Sequence, residues 1–141
     1  MSKVGDALAR AALELAGTRF LLRGRDPATG LDCVGLVACA LEAAGRRAAL
    51  PHDYAIRNRS VAHLLHFARD AGFGEAAGAI AAGDLLLVRT APAQYHLLIA
   101  APPNGFVHAH AGLRRVAITP GPLPWPIERR WRLTDSSEEH D

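Results

Sequence analysis

Apolar residues recur at helical spacing through Val4, Leu8, Ala11, Ala12 and Leu15, and Gly17 follows as a stop, so the pattern predicts an amphipathic first helix. Gly24, Pro27 and Gly30 mark residues 23–31 as a loop. Asp32 can then cap a helix from Cys33 to Ala44, with Val34, Val37, Ala38 and Leu41 as its apolar positions and Gly45 as its end. Ser60 can cap a third helix, with Val61, Leu64, Leu65 and Ala68 inward and Gly72 closing it. Beyond Gly83 the period shortens. Leu85–Val88, Tyr95–Ala100, Phe106–Ala109 and Val116–Ile118 read as strands, with a tight turn at Pro102-Pro103-Asn104-Gly105. A last strand is predicted around Arg130–Leu133, after the Pro-rich stretch 120–126. Helices followed by hairpin-connected strands predict an α+β fold, with N-terminal helices packed on a C-terminal antiparallel sheet. No repeat or internal linker interrupts the pattern, so residues 1–133 are expected to form one domain and 134–141 an acidic flexible tail.

Composition narrows the class. The chain has 141 residues, 50% of them hydrophobic and 21% charged, enough for one core and unlike a disordered chain. The net charge of +2 conceals an asymmetry, because four of the 14 acidic residues lie in the last eight positions. Residues 1–133 keep 16 basic against 10 acidic side chains, and 15 of the 16 are arginine. A positive body suits an anionic partner. Yet Arg46-Arg47, Arg114-Arg115 and Arg129-Arg130 are scattered pairs without interleaved aromatics, which reads as solvated surface and not as a nucleic-acid interface. No segment is apolar enough to span a bilayer, and Met1 to Ala16 lacks the apolar centre of a signal peptide. Synthesis in the cytoplasm without membrane insertion is the expectation.

Cys33 and Cys39 lie six apart on one predicted helix, about 9 Å along its axis, which is too far for a disulfide. Cys39 reads as core. Cys33 stands at the helix start, where unpaired N–H groups and the positive end of the macrodipole favour a thiolate. His96 opens an apolar strand and His108 follows twelve positions later. A thiol with an imidazole to move its proton is the pairing that nucleophilic amide hydrolysis needs. Each residue alone has a plainer reading: a buried cysteine is a small hydrophobe, and a strand histidine a satisfied core residue. His108 and His110, two apart on a strand, have paired-ligand spacing, but zinc on Cys33 would block the thiolate and no metal or other cofactor is expected. His63 and His66 read as surface, and Trp125 and Trp131 as core packing.

The order Gly17-Thr18-Arg19-Phe20, Gly30-Leu31-Asp32-Cys33-Val34-Gly35-Leu36-Val37, Ala82-Gly83-Asp84-Leu85, His96-Leu97-Leu98-Ile99 and Gly105-Phe106-Val107-His108-Ala109 resembles the NlpC-type cell-wall peptidases, which are papain-like cysteine hydrolases of peptidoglycan stem peptides. The resemblance covers roughly residues 5–118. It implies Cys33 as nucleophile, His96 as general base and His108 as the polar residue that orients the base. It also implies that Phe20, Asp32 and Val34 border the substrate. Arg23 and Arg25, just before Cys33, are placed to meet stem-peptide carboxylates, with loop solvation as the plainer reading. Phe20 stands where the family has tyrosine, Val34 where it has serine, and Leu22 where a second aromatic is common. The implied reaction is hydrolysis of the γ-D-glutamyl–diaminopimelate bond, at the cell wall or periplasm. A narrower version has the protein carried on a phage-like tail or baseplate. Two other classes fit the same residues: a structural module that keeps the fold without useful activity, and an amidase acting on a small γ-glutamyl-type substrate.

Overall fold

The structure is a computed structural model that describes residues 3–46, 61–92 and 94–134. Helices α1 (Lys3–Glu14), α2 (Cys33–Ala43) and α3 (Val61–Asp70) precede most of the sheet. Strands β1 (Arg25–Asp26) and β2 (Gly30–Leu31) form a small antiparallel ladder. Strands β3 (Phe73–Glu75), β4 (Leu85–Ala91), β5 (Gln94–Ala101), β6 (Gly105–His110), β7 (Arg115–Thr119) and β8 (Ile127–Leu133) form one antiparallel sheet in the order β3-β8-β4-β5-β6-β7. The α+β architecture expected from the hydrophobic pattern is therefore present. Among the described residues no helix is long and apolar enough to cross a membrane.

Four strands depart from the sequence reading. The predicted loop 23–31 contains β1 and β2, β3 was not anticipated, and the last strand begins at Ile127. The helix boundaries agree within a residue or two. Ser60, the side chain of His63 and the tail from Asp135 lie outside the described residues.

Helix α2 is held by packing. Eight of its eleven residues are buried, and a helix this short is marginal on its own. It runs across β5 and β6, with Val34, Leu36, Val37 and Leu41 in the main core beside Leu97, Ile99 and Val107. Its end is a Schellman turn: Gly45 sits at φ 88°, Gly45 N donates to Glu42 O at 3.0 Å, and Arg46 N donates to Leu41 O at 2.8 Å. The sheet is covered on its other face as well. Leu86, Val88, Leu98 and Ala100 form a second cluster under Phe106, Leu123 and Trp125. That explains why β4 and β5 are continuously apolar rather than alternating.

One short ion-pair network fixes the start of β4. Asp84 is fully buried and is met by Arg130 at 3.0 Å and Arg132 at 2.7 Å. Arg130 is thus a partner of a buried carboxylate, which corrects its reading as solvated surface.

Candidate active site

Asp32 builds the start of α2. Its backbone is extended and its Oδ1 accepts from Gly35 N at 2.8 Å, which makes it the N-cap. The same oxygen accepts from Arg25 Nη1 at 2.8 Å, while Oδ2 accepts from Arg23 N at 3.1 Å. The carboxylate is fully buried, so it positions the helix start and is closed to a ligand. Gly35 explains the small residue in the motif. A Cβ there would collide with the Gly24 carbonyl oxygen, so the first turn of α2 lies directly on the 24–25 backbone. Cys33, 1% exposed, is in this first turn, and Val34 is fully buried in the core.

The loop before α2 is stitched to the start of β7. Gly17 N donates to Val116 O at 2.8 Å, Val116 N to Thr18 O at 2.7 Å, and Phe20 N to Arg114 O at 3.0 Å. Phe20 in turn bridges Leu31, two residues before Cys33. Arg115 pairs with His110 at the far end of β6. These bonds bring the helix start to the end of the sheet where β6 finishes.

His96 and His110 share that end. The β5–β6 register runs from Ala101/Gly105 to Ile99/Val107, and carried onward it would set His96 across from His110. The ladder stops at Ile99, however, so 96–98 and 108–110 are not joined by it. A cavity of about 210 Å³ opens here, lined by Thr90, His96, His108, Ala109, His110, Ala111, Gly112 and Trp125. Ala109 belongs to the core under the helices, whereas Trp125 belongs to the opposite cluster, so the cavity reaches into the seam between the strands.

His108 is 3% exposed, and its Nε2 is 2.6 Å from Thr119 Oγ1. Its ring centroid is 5.2 Å from that of His110 and 6.0 Å from Trp125, the latter edge-on. Burial lowers its pKa to about 4, helped by His110 and His96, so it is neutral at physiological pH. His110 Nδ1 accepts from Leu113 N at 3.1 Å, which closes the turn after β6 and leaves the neutral ring's proton on Nε2. Among the described residues no cluster of three or more His, Cys, Asp or Glu could hold a metal ion.

The structure therefore gathers His96, His108 and His110 around one cavity and brings the first turn of α2 to the same end of the sheet. Cys33 is not part of the cavity lining. Phe20 lines a separate open groove with Arg19, Leu21, Leu22, Ala111 and Arg114, and Arg23 is exposed. Neither cysteine forms a disulfide, and Cys39 is half-buried, with its thiol donating to Arg25 O at 3.3 Å. Burial, then the charges of Glu42 and Asp26, push that thiol's pKa up, which keeps it protonated. Thr119 and Thr90, which the sequence reading passed over, belong to this site. Thr119 faces Phe106 directly across β6–β7, one diagonal step from His108, and only that register reveals it.

No protein-family model matches the chain, and no curated protein matches it. Solved structures do. NlpC2 from Trichomonas vaginalis is similar with a TM-score of 0.70 and 19% identity, over 94% of this chain and 47% of its own. NlpC1 from the same organism gives 0.67 and 22%, over 93% and 45%. The NlpC/p60 domain of the peptidoglycan hydrolase SagA gives 0.56 and 25%, over 82% and 88%. The chain spans about half the length of the two Trichomonas proteins. Its fold is that of NlpC/p60 domains, so the resemblance carried by the sequence motifs holds for the architecture.

Proposed function

We propose that this protein is a cysteine-dependent amide hydrolase that cuts the stem peptide of peptidoglycan. The reading is supported by a capped helix start bearing Cys33 and by a histidine-lined cavity toward the same end of a sheet with the fold of NlpC/p60 domains. Cys33 is the nucleophile, His96 the base, and His108 the residue that orients the base.

The reaction proceeds in two halves. His96 takes the thiol proton as Cys33 Sγ attacks the amide carbonyl carbon, and the oxyanion is met by backbone N–H groups of the α2 first turn. The C–N bond then breaks and His96 passes its proton to the leaving amine. Water attacks the thioester with His96 again accepting a proton, and collapse releases a carboxylic acid and restores the thiol. A neutral His108 suits its part, since it accepts or donates one bond without adding positive charge beside the base. We take the cleaved bond to be γ-D-glutamyl–diaminopimelate. The site of action is then the cell wall or periplasm, and carriage on a phage-like tail or baseplate is the narrower form.

The test is a digest of purified peptidoglycan and soluble muropeptides by wild type and Cys33→Ala, read by mass spectrometry. New stem-peptide fragments that vanish in the variant are the expected result. An intact digest with folded wild type would refute the reading.

A non-catalytic module is the second reading, favoured by the 1% exposure of Cys33 and by Phe20, which has no hydroxyl. Iodoacetamide at mildly acidic pH separates the two. An activated Cys33 is alkylated in the folded protein, and a merely structural one is not.

A further inference from the structure

Among the described arginines, Arg25, Arg69, Arg89, Arg130 and Arg132 each meet a carboxylate. Arg19, Arg23, Arg114 and Arg115 are exposed, and their guanidiniums make no hydrogen bond or ion pair with the described residues. Arg19, Arg114 and Arg115 are held close together. Arg19 faces Arg115 across an isolated antiparallel bridge, and Arg19 and Arg114 line the groove floored by Phe20, Leu21, Leu22 and Ala111.

Two features of this cluster work against stability. Like charges directly opposite each other in a bridge repel. Arg23 and Arg114 are also the two non-glycine described residues with positive φ, at 62° and 61°, a conformation that glycine adopts without strain. Glycine at 23 or 114, or an acidic residue at 19, would suit the fold better. None of the described residues that line the groove is acidic. Ala111 borders both this groove and the histidine cavity.

An apolar floor under a rim of guanidiniums that no described residue pairs complements a peptide that carries a free carboxylate. We propose that this groove binds carboxylate-bearing peptide, and that Arg19 and Arg114 distinguish a free carboxylate from its amide. A guanidinium pairs with both oxygens of a carboxylate, whereas an amide turns an N–H₂ donor toward it. The proposal rests on the hydrolase reading for the choice of peptide, but binding needs no hydrolysis.

The experiment uses Cys33→Ala protein and two probes, a γ-glutamyl dipeptide with a free α-carboxylate and the same dipeptide as its α-carboxamide. Titration is followed through the backbone amide resonances of residues 19–22 and 111–115. The carboxylate form is expected to bind about tenfold more tightly, with the gap closing in about 1 M salt. Arg19→Gln and Arg114→Asn should each remove most of that preference, asparagine being chosen because it tolerates the left-handed backbone. Arg19→Glu gains Arg115 as a partner, so it should melt higher yet bind the carboxylate worse. Loss of stability and binding together in Arg19→Glu would make the cluster structural and overturn the proposal. Equal binding of the two dipeptides, or binding of neither, would also overturn it. Discrimination by a protein whose wild type leaves peptidoglycan uncut would sustain the groove and sink the hydrolase reading. Cutting without discrimination would do the reverse.

Discussion

Replacing Asp84 with asparagine probes how the sheet beneath the site is held. The two carboxylate oxygens accept from Ala81 N at 2.9 Å, Arg130 Nη1 at 3.0 Å, Arg132 Nε at 2.7 Å and Arg132 Nη2 at 2.9 Å. Burial alone would raise the pKa, but the bonds from Arg132, Ala81 N and Arg130 outweigh it and hold the carboxyl below the usual carboxylate range. Asparagine keeps the shape, removes the charge and turns an N–H₂ toward other donors. Breaking a buried ion pair costs about 3–5 kcal/mol. The arginine side chains are 16% and 34% exposed and can turn partly to water, so about 3 kcal/mol is expected here. For 141 residues that is a fall of about 10 °C in Tm. Circular dichroism on heating and in urea, at neutral and acid pH, measures it. The folded carboxyl has the lower pKa, so its stabilisation is complete above the unfolded value and fades as pH falls toward the folded one. The gap between wild type and variant should therefore narrow below about pH 4. A Tm change under about 2 °C at neutral pH, or a gap that widens in acid, would refute the reasoning.

Three further outcomes are expected. The His108 imidazole should titrate near a pKa of about 4 in a proton NMR series, because burial and two neighbouring histidines oppose its charge. Below pH 6.5 the unfolded chain then takes up the proton first, so folding stability should fall by up to about 3 kcal/mol toward pH 4, a slope that His108→Asn removes. Gly35→Ala should destabilise by about 3 kcal/mol, since α2 must lift off Gly24, and should speed reaction of Cys33 with a thiol reagent. Thr119→Val takes away the bond to His108 Nε2 and, on the hydrolase reading, should lower kcat about tenfold with KM unchanged, Thr119→Ser restoring it.

What the sequence discloses follows from the range of the forces involved. The α2 boundaries were legible because cap and stop are local: Asp32 bonds three residues on, and Gly45 takes a conformation other residues resist. Strands β4 to β6 were legible as apolar runs, and their place in an α+β fold followed from their order. The two-residue strands β1 and β2 were not, because pairing across a loop leaves no period in so few residues. Likewise β3 is recognisable only by its partner, with Phe73 opposite Leu133 at the sheet edge. Arg130 looked like surface because the carboxylate that claims it is 46 residues away. In the candidate site the motif named Cys33, His96 and His108, yet His110 and Thr119 join them only through strand register.

The two tryptophans of the chain report on opposite sides of the sheet. Trp131 is 6% exposed in the core under the helices, whereas Trp125 lies half-buried in the cavity wall, its ring at 71° to that of His108. An imidazolium quenches indole emission and a neutral imidazole does so far less. Trp125 is thus an intrinsic fluorophore placed at the histidines, with Trp131 as a steady background against which its signal is read. Occupancy of the seam and the charge on His108 become optical quantities, accessible in a stopped-flow cell without a label or a chromogenic substrate.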